Sequence, residues 1–302
     1  MNIITDLKLN KLLEKAKNKK LKLKKIYYHA DYFNLAINYL KSQKYLKLET
    51  ILKIFNINNN PNYPVGYLVT NEDNLPIGFM GTVFSERDVL KKNYLFCNIH
   101  SWIIDLEYRL YAYLPIINLI SEKINLTAFT PVPSLRGLLE KFGLKKKFIF
   151  YRAIFNFSLI KNFNQKFIIV KDKEIILKII KENKDIYSSL DEKIYNKFLI
   201  LDKETNLYTL IIGTFLKKKS LKFFNIFFVS NKFFFKKNWE IFKNLIIDEF
   251  KVNFFSEYYF ENEESLFPES LLLSKIVKKS IYYRSDIPLT SLELLKSDLI
   301  LS

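Results

Sequence analysis

The chain has 302 residues and 49% hydrophobic content, enough for one large domain or two of about 150 residues with a substantial core. One cysteine, Cys97, and two histidines exclude a disulfide framework and leave too few nitrogen and sulfur ligands for a metal site, so no metal is expected. The formal net charge of +17 is mostly Lys, in a chain also rich in Asn, Ile and Phe with only six Gly; codon supply from an AT-rich genome gives that joint bias.

A solvated basic surface is therefore the expectation, with nucleic acid not expected as a partner and anionic small ligands, coenzyme A among them, the other use of the charge. No apolar run reaches the roughly 18 residues of a transmembrane helix. The first residues lack the apolar core and cleavage site of a signal peptide, so a cytoplasmic location is expected.

Met1 to Lys25 carries nine Lys against Asp6 and Glu14. Leu7, Leu12, Leu13 and Ala16 recur near helical spacing, which predicts a basic amphipathic helix, exposed as a surface helix or arm and suited to peripheral membrane contact. Ile26 to Ala30 is a strand candidate, and Asp31 caps a helix through Leu35, Ile37 and Leu40. A second helix is expected from Leu46 to Phe55, then a loop from Asn58 to Pro64. His29, among tyrosines, reads as a packing residue before a base. Val65 to Thr70 and Pro76 to Ser85 form a hairpin around Asn71-Glu72-Asp73-Asn74, and Glu86, Arg87 and Asp88 are expected in the next turn.

Tyr94 to Ile104 is aromatic and β-branched, hence a strand. Alternation puts Asn98, His100 and Trp102 on one face and Cys97, Ile99, Ser101 and Ile103 on the other. Asp105 to Arg109 is a charged turn, and the apolar run Leu110 to Ile120 predicts a helix. Ile124 to Phe129 is a short strand. Thr130 to Ser134 then breaks the chain before a helix from Leu135 to Phe142, which Gly143 ends.

This order of strand, turn, helix, strand and helix resembles the centre of the GNAT superfamily of N-acetyltransferases. The family's Arg/Gln-x-x-Gly-x-Gly/Ala turn aligns with Arg109-Leu110-Tyr111-Ala112-Tyr113-Leu114, with Ala112 and Leu114 at the small-residue positions. Tyr63-Pro64-Val65-Gly66-Tyr67, Ile77-Gly78-Phe79-Met80-Gly81, Phe84-Ser85-Glu86-Arg87, Phe96-Cys97-Asn98 and Thr130-Pro131 resemble a GNAT-like subgroup associated with bacterial surface-polysaccharide gene clusters. The resemblance implies an acyl-CoA-dependent N-acyltransferase, with acetyl-CoA or another acyl-CoA as donor and a small amine, such as an amino sugar, as acceptor. It implies that Arg109 and the main chain of Leu110, Tyr111, Ala112, Tyr113 and Leu114 hold the pyrophosphate at a helix start, where unpaired donors suit an anion. Ile103 and Ile104 would hold the acyl thioester. His100 is the first candidate for the base and Glu107 the second. Leu139 occupies the position that commonly supplies a Tyr general acid.

From Lys171 the pattern returns. Glu174 to Lys181 and Asp191 to Lys197 read as helices; Phe198 to Leu201, Tyr208 to Leu216, Leu221 to Val229 and Val252 to Tyr259 read as strands. A helix follows the turn Ser230-Asn231-Lys232, and a last element near Tyr282 is expected to cover a sheet edge. The expected fold is α/β (α+β): two tandem GNAT-like units, each a mixed, mostly antiparallel sheet flanked by helices. Residues 1–25 form the basic segment, 26–155 the unit with the acyl-CoA site, and 156–302 a degenerate second unit. Two alternatives remain at this stage: a GNAT-like binding or assembly module without catalysis, and aminoacyl transfer from charged tRNA.

Overall fold

The computed structural model describes residues 6–28, 31–43, 55–56, 61–89, 92–155, 166–268, 274–290, 294–295, 297 and 299. His29, most of the expected Leu46–Phe55 helix and the start of the following loop, Asn58 to Asn60, lie outside these residues. The chain divides into two compact units. Met1–Lys147, Ser280–Leu289 and Lys296–Ser302 make the first, and Phe148–Lys279 with Thr290–Leu295 the second. The class is mixed α/β, with helices flanking mixed sheets.

In the first unit the described elements are α1 (Asp6–Asn18), β1 (Lys22–Ile26), α2 (Asp31–Ser42), β2 (Gly66–Thr70), β3 (Pro76–Val89), β4 (Lys92–Ile104), a 3-10 helix (Leu106–Tyr111), α3 (Leu114–Ser121), β5 (Asn125–Ala128) and α4 (Pro133–Lys141). Strands β1 to β4 pair antiparallel in chain order, and β5 adds parallel to β4. The parallel step needs a crossover, which α3 supplies. Tyr282 to Arg284 then pair antiparallel with β5, so the expected late element covers that edge.

Local chemistry explains the joints. Asn71 Oδ1 accepts the N–H groups of Asp73 (3.1 Å) and Leu75 (2.9 Å), and Asn74 takes φ 59°, which closes the β2–β3 hairpin. Gly143, at φ 80°, ends α4, where an L side chain would be strained. Ala36, Tyr39 and Leu40 of α2 bury against Ile26, Leu68 and Phe79. Ala16 of α1, the apolar face of α3, and Leu139 of α4 bury with Tyr67, Met80, Cys97 and Ile99. The two groups of helices therefore use separate cores.

Several expectations need correction. The first strand is Lys22–Ile26, inside the basic segment, because α1 packs Ala16 into the core and the chain turns straight into pairing with β2. Glu86, Arg87 and Asp88 are not in a turn, since β3 continues to Val89 in register with β4. The helix expected from Leu110 starts at Leu114. Pro115 stands in its first turn, a helix-start signal that the apolar run obscured, and the residues before it wind as 3-10. The alternation of β4 breaks at Ser101, which takes φ 44° where the register shifts against β3. Trp102 consequently packs with the Cys97 and Ile99 core, while Ile103 joins Phe79 on the opposite side.

The second unit contains β6 (Lys145–Phe155, from Phe148 on), β7 (Phe167–Val170), α5 (Lys173–Ile179), α6 (Lys184–Ser189), β8 (Asn196–Asp202), β9 (Tyr208–Lys218), β10 (Leu221–Val229), α7 (Lys232–Lys237), α8 (Trp239–Phe250), β11 (Phe254–Phe260) and β12 (Ser274–Arg284, to Lys279). Strands β7 to β10 pair antiparallel in chain order, β11 adds parallel to β10, and β6 adds antiparallel to β11. Asn231 Oδ1 accepts from Phe234 N (2.9 Å) and caps α7. Phe234, Phe235, Trp239 and Phe242 bury against Phe224 and Phe255. Each such ring contributes about 1.5–3 kcal/mol by leaving water. Asp191 to Lys197 is not a helix: Asp191 Oδ1 accepts Lys193 N (2.8 Å), a local turn that outcompetes it, and the helix sits earlier as α6.

No helix among the described residues is long and apolar enough to cross a membrane. Nor, among those residues, do three metal-ligating side chains come together.

Candidate functional site

Strands β4 and β5 pair only from Phe96↔Asn125 to Asn98↔Thr127. Asn98 stitches the last rung, its amide lying 3.3 Å from both the carbonyl and the hydroxyl oxygen of Thr127. Beyond this rung β5 stops at Ala128 while β4 runs on to Ile104. The C-terminal stretch of β4 thus has no ladder to β5, and it contains the Ser101 bulge. Parallel strands that part in this way present main-chain donors and acceptors at a strand end, where a ligand can take them up.

The expected site residues line up along this stretch and the segment after it. His100 precedes the bulge, opposite Gly81, and is 5% exposed. Its Nδ1 lies 3.2 Å from Ser101 Oγ, and Nε2 has no hydrogen-bond partner. Burial pushes its pKa down to about 4, against a smaller opposing contribution from the Thr82 backbone. The ring is therefore neutral at pH 7 and sealed from water. Ile103 and Ile104 end the strand, half-buried, paired to Phe79 and Gly78.

Glu107, Arg109 and Leu110 lie on the 3-10 helix and are exposed, Leu110 at 83%. Tyr111 is half-buried, and Ala112, Tyr113 and Leu114 are buried. The N–H of Ala112 is already committed to Arg109 O at 3.2 Å. Pro115 has no N–H to offer. Two further bonds fix the segment: Trp102 Nε1 donates to Ala112 O (3.1 Å), and the Tyr113 hydroxyl donates to Leu12 O (2.9 Å), which ties α3 to α1. Arg109 is therefore open to an anion, and Leu110 beside it is exposed, while Tyr111 to Leu114 turn inward.

The structure adds a pair that sequence reasoning missed. The Tyr39 hydroxyl donates to Asp105 Oδ1 at 2.8 Å, and Asp105 N donates to Ile77 O at 2.8 Å. A carboxylate is thus held at the end of β4 by helix α2. The legible signal was Tyr39 on an apolar helix face, where a buried phenol needs a partner; nothing local named Asp105. Cys97 is fully buried, which pushes its thiol pKa up. Leu139 is buried in the α4 core contact.

Solved structures share the fold. A GCN5-related N-acetyltransferase from Anabaena variabilis superposes with TM-score 0.54 at 12% identity, over 87% of this chain and 72% of that one. One from Kribbella flavida gives TM-score 0.52 at 9% identity, over 87% and 70%. The chain has the GNAT fold. The GCN5-related glucosamine N-acetyltransferase region of a fungal multidomain beta-N-acetylglucosaminidase gives TM-score 0.53 at 8% identity, covering 87% of this chain and 38% of that one. No family model matches the chain, and no curated protein matches it in sequence.

Proposed function

We propose that the first unit is an acyl-CoA-dependent N-acyltransferase acting on a small amine. The observation that carries this reading is the bulged end of β4, which has no ladder to β5, followed closely in the chain by the exposed Arg109. Main-chain groups at that end polarise the thioester carbonyl, Arg109 attracts the pyrophosphate, and the amine attacks directly, with the coenzyme A thiolate leaving. The buried, neutral His100 stores a proton poorly, since a base works best with a pKa near the working pH. Asp105 is better placed, because Tyr39 orients it and it follows the bulge by only four residues. An amino sugar fits as acceptor: its ammonium group pairs with such a carboxylate, and the glucosamine N-acetyltransferase region shares the fold. Surface-polysaccharide biosynthesis is the setting that the sequence resemblance suggests, in a bacterial cytoplasm.

The two units are read as tandem GNAT-like repeats. Their parallel construction supports this. In each, three antiparallel strands are followed by a helical crossover and a parallel strand. In each, a glycine of the middle strand stands opposite the residue before the register shift, Gly81↔His100 and Gly213↔Ile226. The second unit carries Phe234 and Phe235 buried after its turn, so the donor site is assigned to the first unit alone.

A second reading, a GNAT-shaped binding module without catalysis, is favoured by the 3-10 helix. That helix consumes the Ala112 N–H, and Pro115 removes another donor. Calorimetry with acetyl-CoA and a longer acyl-CoA at moderate salt, beside Arg109→Glu, separates the two. Micromolar binding that the variant loses is expected. Absence of binding by the intact protein to either donor would leave the binding-module reading.

A further inference from the structure

Among the described residues of the first unit, the large hydrophobic side chains that are more than half exposed all lie at one end of its sheet: Leu75 (59%), Leu106 (72%), Leu110 (83%) and Val132 (51%). The topology puts them there. Leu75 ends the β2–β3 turn, and β3 then pairs Gly78 with Ile104, the last residue of β4. Leu106 and Leu110 ride on the 3-10 helix that follows β4. Strand β5 runs parallel to β4, so Val132, just after it, emerges at the same end. Single exposed leucines are ordinary, but four such side chains gathered from three separate connections mark an interaction surface.

The same end is basic. Strand β1 starts there, with Lys22 paired to Thr70, and the Lys20 and Lys22 ammonium groups reach the turn, at Glu72 Oε2 (2.9 Å) and Asn74 Oδ1 (3.0 Å). Four exposed lysines, Lys17, Lys19, Lys20 and Lys22, stand at this joint against two carboxylates, Glu72 and Asp73. The charges of the other connections cancel, Arg109 and Arg136 against Asp105 and Glu107. So do Lys41 and Glu140 and, one turn earlier in α1, Lys15 and Glu14. An excess of two positive charges remains among the described residues.

The composition selects the partner. Hot spots of protein interfaces favour Trp, Tyr and Arg over Leu and Val, and lysine is depleted there. Single-stranded nucleic acid takes aromatic platforms. The exposed aromatics of this unit, Tyr28 and Tyr32, follow the end of β1 and begin α2, at the opposite end of the sheet, while Tyr108 and Tyr111 pack on the core. Aliphatic side chains among lysines match a lipid interface, where the former enter the acyl boundary and the latter meet anionic headgroups.

We propose that this end of the first unit docks on an anionic phospholipid membrane, with Leu75, Leu106, Leu110 and Val132 entering the headgroup region and the lysines of the α1–β1 joint on the lipid phosphates. The end of β4 then faces the bilayer surface. Docking requires no acyl-CoA, so it is tested apart from the proposed reaction.

The full chain is sedimented, without any acyl-CoA, with vesicles of phosphatidylcholine containing phosphatidylglycerol and with vesicles of phosphatidylcholine alone. Saturable binding to the mixed vesicles is expected, about tenfold or more tighter than to phosphatidylcholine and weakened by added salt. Leu106→Glu/Leu110→Glu and Lys19→Glu/Lys20→Glu, all at exposed positions, should each weaken it about tenfold or more. Ile276→Glu, at a position 53% exposed in the second unit, should leave it unchanged. In Leu110→Trp the added emission should shift to the blue on mixed vesicles. No binding to mixed vesicles, undiminished binding by either pair variant, an equal loss in Ile276→Glu, an unshifted Leu110→Trp emission, or binding of single-stranded RNA in preference to vesicles would each overturn the proposal.

Discussion

The His100 ring occupies the space that a side chain on Gly81 would take: a Cβ there would stand 2.3 Å from His100 Cε1 and 2.7 Å from Nδ1. Both residues are buried mid-strand in paired β-structure, so neither can retreat cheaply. Gly81→Ala is expected to destabilise the protein by about 1–3 kcal/mol through overpacking. In the double variant with His100→Ala the methyl enters the space left by the ring, so the combined cost falls below the sum of the single costs. Urea midpoints for the four proteins of the cycle test this coupling, and strict additivity would show that the contact is not tight.

His100 also makes stability pH-dependent. Its folded pKa of about 4 lies below the ordinary 6.5, so between these values the unfolded chain binds a proton that the folded chain refuses. This burden is absent above about pH 6.5, grows as pH falls, and is complete near pH 4, at about 3 kcal/mol for the full difference. Unfolding free energies at pH 7 and pH 5 should therefore diverge less in His100→Asn than in the parent protein. An identical pH slope in both proteins would mean that His100 is not held neutral by burial.

The long alternating and apolar runs made the strands legible. Leu221 to Val229 spans β10 end to end, and the Asn71–Asn74 turn follows from side chains that bond their own backbone. What was not legible is where tertiary context acts. The bulge puts Ser101, a non-glycine residue, at φ 44°, and nothing in Ile99 to Ile103 signals it, so simple alternation assigns Trp102 and Ile103 to the wrong faces. The 3-10 helix arises because Pro115 delays α3, which moves Leu110 and Tyr111 out of the α-helix expected there. The Tyr39–Asp105 bond joins positions 66 apart in sequence, a distance over which local patterns say nothing.

That bond gives a functional test. Tyr39 is 7% exposed, so Tyr39→Phe removes one hydrogen bond and keeps the packing, at about 1 kcal/mol of stability. If Asp105 takes the proton from the acceptor amine, Asp105→Asn lowers kcat by about 10²–10⁴-fold while leaving acyl-CoA affinity within a few-fold. Tyr39→Phe should lie between the two, with a smaller loss in kcat. Equal losses of donor affinity and turnover in Asp105→Asn would instead mean that the carboxylate only shapes the end of β4.

Cys97 separates direct transfer from a covalent route. A thiol must reach the thiolate to attack a thioester, and burial raises the Cys97 pKa while removing it from solvent. Its strand position pairs with Phe84 and Leu126, both in the core, and among the described residues no charged side chain is bonded to it. Native protein should therefore react with a thiol reagent at least a hundredfold more slowly than protein unfolded in guanidinium. Cys97→Ala, which fills the site with a smaller apolar group, should keep kcat within a few-fold when assayed at a temperature where the variant is folded. Rapid native labelling, together with loss of turnover in the folded alanine variant, would replace direct attack by the amine with an acyl-cysteine intermediate.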